Sequence, residues 1–147
     1  FVRYHENDEY LLVLGSGEKE AECKAKADDH VRMLGFQTDP IAYMNISDVY
    51  VSASKSEGFS ISVLEALSCG LELFLSNIPS HEEVVSMGRT IPVGELFDEK
   101  NIGGAFDNIR SIHSNKDKII EFQRENLSAC KMAELYNSEY QKIERSQ

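Results

Sequence analysis

Short apolar segments alternate with longer amphipathic segments along the first hundred residues of the chain. Five apolar segments predict strands, at Tyr10–Leu14, Val31–Leu34, Val49–Ser52, Leu71–Leu75 and, as a last short strand, Thr90–Val93. The segments between them predict helices, at Glu18–Ala27, from Pro40 to about Ile46, at Ile61–Cys69 and from Ser80 through Met87. Strands that alternate with helices in this way are typical of an α/β fold, a Rossmann-like parallel sheet with helices on both faces.

Local signals set several of these boundaries. Asp39 precedes Pro40, which suits an N-cap followed by proline at the first helical position. Gly70 follows the helix at Ile61–Cys69 and predicts its C-cap. Residues beyond about Glu99 predict two helices separated near Ser114–Asn115, and their apolar side chains up to Tyr140 have the spacing of a packing face.

The carboxyl ends of parallel strands form the edge at which such sheets bind ligands. Four polar or glycine-containing segments follow predicted strands and should lie along that edge: Gly15–Gly17, Gly35–Gln37, Ser54–Gly58 and Ser76–Asn77. The first of them is not a dinucleotide fingerprint, because Glu20 stands where a third Gly or Ala is needed. We therefore interpret it as a tight turn into a helix.

Composition narrows the classes of function. The 147 residues suit one domain. Phe1–Glu6 resembles the end of a secondary-structure element, so we interpret the chain as a piece of a longer protein. A net charge of −10 without a Lys/Arg cluster argues against nucleic acid as a partner. The three cysteines lie far apart without zinc-like spacing, which favours reduced thiols, and no apolar run approaches the length of a membrane span.

The segment Ser56–Gly70 carries the most specific chemistry. A helix N-terminus attracts anions because its first N–H groups lack intrahelical partners and the dipole there is positive. If the helix begins near Ile61, Glu57 lies just before those amides and Glu65 lies over a turn past them, roughly 10 Å apart along the axis. Two carboxylates on either side of a phosphate site suit the hydroxyl groups of a nucleotide sugar. That spacing favours ligand binding over acid–base cleavage of a glycosidic bond.

Because of these motifs, the chain resembles a known family. It is similar to the C-terminal, nucleotide-sugar-binding domain of retaining glycosyltransferases of family 4, also called group 1, which have the GT-B fold. The resemblance runs from about Leu11 to Phe97 and rests on five segments in order: Leu12–Gly17, Val31–Phe36, Ser47–Val51, the E-x7-E segment Glu57–Gly70, and Glu83–Val85.

The resemblance implies roles for particular residues. Glu57 would be a catalytic residue that binds hydroxyls of the donor sugar, and Glu65 would bind the ribose hydroxyls. The backbone near Gln37 would recognise the base. Besides Glu57, the residues that would hold the donor sugar and the diphosphate are Gly58, Phe59, Ser60, Ile61 and Ser62. Family members need no metal for the chemistry, so the resemblance implies no metal site and no cofactor besides the nucleoside-diphosphate sugar itself.

The chain also departs from the family pattern. Members carry an Arg and a nearby Lys, after the first strand of this domain, that neutralise the leaving diphosphate. That strand would precede Phe1, and Lys55 is not a confident replacement. The N-terminal acceptor-binding domain would lie outside the chain as well. Ser60 takes the place of a frequent glycine.

The sequence therefore predicts the donor-binding domain of a hexosyltransferase-type enzyme, inactive by itself. The enzyme would transfer a sugar with retention to a polysaccharide or lipid-linked glycan held by the N-terminal domain. The implied location is cytoplasmic, with peripheral association at the inner face of the membrane as an option for the full-length protein. Two alternatives stay open: a nucleotide-sugar epimerase of related fold and a non-catalytic regulatory domain. The base, sugar, acceptor, linkage and oligomeric state are not specified.

Overall fold

The computed structural model describes residues 1–88, 91–112 and 115–145. Contacts between Cα atoms divide the chain into two compact units, Phe1–Tyr43 and Met44–Gln147, and each is described separately. All paired strands in both units are parallel, as the alternation of strands and helices predicts.

The first unit contains two strands and one complete helix. Strand β1 (Leu11–Leu14) and strand β2 (Val31–Gly35) flank helix α1 (Glu20–Lys26), and helix α2 (Pro40–Asn45) follows. The strands pair with Leu11 opposite Val31, and the register shifts after Val13. Asp39 accepts a hydrogen bond from the Ala42 N–H at 3.2 Å, which confirms its predicted place at the start of α2.

A stacked group of rings lies beside the amino end of β1. His5 stacks on His30 with ring centroids 4.3 Å apart, and the His5 Nε2 lies 2.8 Å from an Asp28 carboxylate oxygen. The pKa of His5 is raised, first by its hydrogen bond with the Glu6 backbone carbonyl and then by Asp28. Burial acts to raise the pKa of Asp28, but hydrogen bonds from the His30 N–H and the His5 ring outweigh it, so that pKa is lowered.

The second unit contains a three-stranded sheet and most of the helices. Its strands are β3 (Val49–Ser52), β4 (Glu72–Ser76) and β5 (Gly94–Phe97), in the order β3-β4-β5. Its helices are α3 (Ile61–Ser68), α4 (Pro79–Met87), α5 (Ile102–Ser111), α6 (Lys116–Asn126) and α7 (Ala129–Arg145). Leu73, Phe74 and Leu75 of the central strand are buried, because this strand has neighbours on both sides.

Helix α3 is held firmly in the core. Val63, Ala66 and Leu67 are at most 1% exposed, and the helix packs against β4 and α6. Its end has the hydrogen bonds of a Schellman motif: the Gly70 N–H binds the Leu67 carbonyl and the Leu71 N–H binds the Ala66 carbonyl, both at 3.0 Å. Gly70 has a φ of +74°, the left-handed conformation typical of the residue after a C-cap. The C-cap itself is Cys69, one residue before the predicted C-cap at Gly70.

The last strand lies later in the chain than the sequence predicts. The last strand is Gly94–Phe97, so the prediction of Thr90–Val93 is wrong for Ile91–Val93, and Thr90 lies outside the described residues. Pro92 has no N–H for a strand ladder. Gly94, in contrast, lies so close to the Leu73 carbonyl oxygen that a Cβ atom would overlap it. Pairing with β4 therefore favours the later segment.

The described residues beyond Glu99 form three helices rather than two. Asn115 is the N-cap of α6, accepting a hydrogen bond from the Asp117 N–H at 2.9 Å, so the predicted break falls there, although Ser114 lies outside the described residues. A second break at Leu127–Ser128 was not predicted, and the Ser128 Oγ accepts from the Lys131 N–H at 3.2 Å. The predicted packing face is buried on α6 but exposed on α7, where the large apolar side chains are Met132, Leu135, Tyr136, Tyr140 and Ile143.

Candidate functional site

Two loops meet at the carboxyl edge of the three-stranded sheet. The loop Ser54–Gly58 follows β3, and Ser76–Asn77 ends the neighbouring parallel strand β4. The Ser76 Oγ donates a hydrogen bond to the Ser54 carbonyl at 2.6 Å, which joins the loops. In the first unit, the Gly15 N–H likewise donates to the Gly35 carbonyl at 2.7 Å. Within each unit, the predicted edge segments therefore lie together.

Glu57 is held in the first of these loops by a chain of serines. The Ser52 Oγ donates to the Ser54 Oγ at 3.2 Å, and the Ser54 Oγ donates in turn to the Glu57 Oε1. The hydrogen bonds from Ser54 and Ser60 lower the pKa of the Glu57 carboxyl, and burial only partly opposes them. One quarter of the Glu57 side chain is exposed. Glu57 is therefore a fixed, accessible carboxylate that is ionised at neutral pH.

The start of α3 lacks a side-chain cap. Ser60 is the N-cap residue, but within the described residues its side chain makes no capping hydrogen bond. Its hydroxyl interacts with the Glu57 carboxylate. The first N–H groups of α3 have no intrahelical acceptors, and the helix dipole makes this end positive. A Cβ atom placed on Gly58 would meet no atom within 4 Å, so the backbone before the helix faces open space. Phe59 and Ile61 are exposed beside it.

Tyr50 connects Glu57 and Glu65 electrostatically. Burial raises the pKa of the Tyr50 phenol, a hydrogen bond with the Ser62 side chain opposes this, and the charges of Glu57 and Glu65 raise it further. The charges of both carboxylates therefore act on the same phenol group. Glu65 itself is half-buried, one turn after Ile61.

Gln37 lies in the first unit, in the loop after β2. Its side chain is used internally: Nε2 donates to the Leu34 carbonyl at 2.7 Å, and Oε1 accepts from the Tyr43 hydroxyl at 2.9 Å. The side chain therefore braces the loop. The neighbouring Phe36 is 76% exposed.

Sequence reasoning missed one residue beside Glu57. The ring of His81 in α4 is 1% exposed, and its Nε2 lies 4.0 Å from the Glu57 Oε2. Its Nδ1 lies 2.8 Å from the Ser76 carbonyl oxygen. The available signal was its position a few residues after a strand end, on the same edge as Glu57.

The described residues limit other kinds of site. Among residues 1–88, 91–112 and 115–145, no group of three His, Cys, Asp or Glu side chains is arranged to hold a metal ion. Across the same ranges, every helix is too short or too polar to cross a membrane. Lys55, in the loop with Glu57, is exposed. What the described residues bring together here is a helix start without a side-chain cap, preceded by the Glu57 carboxylate.

Comparison with known proteins shows to which family the chain belongs. The chain matches the model for glycosyl transferases group 1 over residues 2–128. It is 28% identical over 145 residues to the O-antigen biosynthesis glycosyltransferase WclY of Escherichia coli, covering 92% of this chain and 40% of that protein. It thus spans about two fifths of the length of this curated relative.

Solved structures agree with the fold. The apo form of the lipopolysaccharide outer core galactosyltransferase WaaB superposes with a TM-score of 0.74 at 18% identity, covering 90% of this chain and 41% of that one. Anabaena HepE, solved in complex with UDP-glucose, gives 0.71 at 16% identity, covering 93% and 43%. These likenesses support the α/β fold of GT-B glycosyltransferases. With the family match over residues 2–128, they lead to one conclusion: the chain belongs to the glycosyl transferases group 1.

Proposed function

We propose that this chain is the donor-binding, C-terminal domain of a GT-B glycosyltransferase of family 4. The enzyme transfers a hexosyl group from a nucleoside-diphosphate sugar to a glycan or lipid-linked acceptor, with retention of configuration. The observation that carries the proposal is the uncapped start of α3, with Glu57 before it and Glu65 one turn inside it. The rest of the protein supplies the acceptor site.

The diphosphate, the sugar and the ribose each have a matching group in the second unit. The diphosphate binds the first N–H groups of α3, from Ile61 onward, and the dipole of this helix stabilises the negative charge that develops as the diphosphate leaves. Glu57 accepts hydrogen bonds from sugar hydroxyls, which its lowered pKa favours by keeping it ionised. Glu65 accepts hydrogen bonds from the ribose hydroxyls.

Cations complete the site from outside this chain. A diphosphate leaving group carries more negative charge in the transition state than one helix start neutralises. We propose that an Arg/Lys pair in the preceding part of the protein supplies the remaining neutralisation. The 147-residue chain alone therefore binds nucleotide without turning over donor. A glycosyltransfer assay on this chain tests the point, and transfer above a no-enzyme control would refute it.

UDP and UDP-glucose are suitable probes. HepE was solved with UDP-glucose, and the pneumococcal O-GlcNAc transferase GtfA, with a TM-score of 0.65 at 16% identity, was solved with UDP and GlcNAc. UDP contains the ribose and the diphosphate, whereas UDP-glucose adds the sugar. Comparing the two ligands separates the part of the site that binds the nucleotide from the part that binds the sugar.

Isothermal titration calorimetry on matched variants tests the proposal. Glu65→Gln should weaken binding of both ligands by about 1–3 kcal/mol, the cost of losing a charged hydrogen-bonding partner. Glu57→Gln should weaken UDP-glucose more than UDP. Glu125→Gln, at an exposed position on α6, makes the same chemical change away from the site and should leave both affinities unchanged. Equal affinities for Glu65→Gln and Glu125→Gln would refute the ribose assignment.

A further inference from the structure

The tautomer of His81 follows from its hydrogen bond. Its Nδ1 lies 2.8 Å from the Ser76 carbonyl oxygen, and a carbonyl can only accept. The proton of the neutral ring is therefore on Nδ1. The ring is 1% exposed, so this bond fixes its orientation within the core. Neutral His81 then presents a lone pair, without a proton, at Nε2.

That lone pair faces a second acceptor. The Glu57 Oε2 lies 4.0 Å from Nε2, too far for a hydrogen bond, and Glu57 is ionised. Nε2 is buried and has no hydrogen-bond partner in the described part of the chain. A buried polar atom without a partner costs free energy. A proton on Nε2, together with a movement of Glu57 toward the ring, would give this atom a charge-assisted hydrogen bond to the carboxylate.

Glu57 dominates the electrostatic surroundings of His81. Among the described residues it is the acidic group within 4.0 Å of the ring. On the helix that carries His81, Glu82 and Glu83 are exposed to water. On the neighbouring strand β5, Glu95 accepts a hydrogen bond from Asn108 at 2.9 Å. Within the described residues, Glu57 therefore supplies the carboxylate beside the unpartnered Nε2 of His81.

We propose that His81 is a proton-linked positioning residue, which takes up a proton and fixes Glu57 when the donor sugar covers that carboxylate. The inference rests on the proposed function, in which Glu57 binds sugar hydroxyls. A bound sugar displaces water from Glu57, and the weaker screening strengthens the attraction between the carboxylate and an imidazolium. The proton comes from the buffer and binds Nε2, which then donates to Oε2. A second lone pair on Oε2 still accepts from the sugar.

UDP without a sugar provides the internal control. It binds the start of α3 and Glu65 but leaves Glu57 in contact with water. We therefore expect UDP-glucose to take up more protons on binding than UDP does. Calorimetry of the 147-residue chain at pH 7.5, in buffers of different ionisation enthalpy, measures both numbers directly, because the observed heat changes linearly with the buffer's ionisation enthalpy.

Two variants assign the extra proton. His81→Gln keeps a polar side chain but does not titrate, so it should abolish the difference in proton uptake. It should weaken UDP-glucose by about tenfold, as expected for losing a hydrogen bond to a charged group, and leave UDP unchanged. Glu57→Gln leaves His81 in place and should abolish the same difference, which keeps the test valid if His81→Gln does not fold.

The outcomes separate the two proposals. If UDP does not bind, the proposed function fails and the role of His81 fails with it. If both ligands bind with equal proton uptake, or if the difference persists in either variant, the role of His81 is overturned while the nucleotide site stands. A purely structural role would weaken UDP and UDP-glucose equally in His81→Gln and would also overturn it.

Discussion

Gly58→Ala distinguishes a ligand site from a merely exposed loop. A Cβ atom at Gly58 meets no protein atom within 4 Å. Gly58 is also absent from the glycines with positive φ, so alanine can adopt its backbone conformation. Stability should therefore stay constant or rise by up to about 1 kcal/mol, because alanine restricts the unfolded chain. Urea denaturation followed by circular dichroism measures this change.

Binding should respond in the opposite direction. If the donor lies against the backbone at Gly58, the added methyl group occupies part of its space and displaces it from the amides of α3. Losing one hydrogen bond between an amide and the charged diphosphate costs about 1.5–3 kcal/mol. Affinity for UDP should therefore fall by about ten- to a hundredfold or slightly more.

Gly104→Ala is the matched control for this experiment. Gly104 also faces open space, and it lies in helix α5, outside the residues proposed to bind the donor. Alanine there should stabilise the helix by roughly 0.5–1 kcal/mol and leave UDP affinity unchanged. If Gly58→Ala bound UDP within twofold of the parent chain, the ligand would not contact this loop, and the placement of the diphosphate at α3 would be wrong.

Two further predictions concern stability. Gly70→Ala should lower the free energy of unfolding, measured by urea denaturation, by about 2–4 kcal/mol. Alanine is strained at a φ of +74°, and its Cβ would lie 2.9 Å from the Lys116 carbonyl oxygen. An unchanged free energy of unfolding would contradict this close packing. The His5–Asp28 pair should contribute most to the free energy of unfolding at about pH 4–6.5. Its contribution should decrease as the pH rises through the raised pKa of His5, and also as the pH falls through the lowered pKa of Asp28. The stability difference between parent and Asp28→Asn, measured against pH, should follow this profile, and a flat difference would refute it.

The sequence alone was sufficient to predict the strand and the helix that position the site. The strand Val49–Ser52 was predicted with its observed bounds, and α3 begins at Ile61 as predicted, because an apolar run and a helical pattern are local signals. Their order along the chain implied parallel pairing, which the structure confirms in both units. The loop carrying Glu57 therefore lies at the carboxyl end of a strand as expected.

The misplaced strand and the buried histidine depend on distant contacts. Gly94 begins β5 because only glycine fits against the Leu73 backbone, and that partner lies about twenty residues earlier in the chain. His81 follows a strand end in a polar segment, which gives it the pattern of a surface residue. Its burial depends on how α4 packs over the sheet. The exposed apolar face of α7 has the same periodicity as the buried face of α6, so the pattern could not distinguish them.

Amide chemical-shift mapping tests the central claim most directly, that the start of α3 holds the diphosphate. The 147-residue chain, labelled with nitrogen-15, would be titrated with UDP and followed by the backbone amide resonances. The largest shifts should fall on Ile61 through Val63, because those N–H groups would donate to the phosphate oxygens, and on the adjoining residues from Gly58. Saturable shifts confined to other parts of the chain, with the α3 amides unmoved, would contradict the claim.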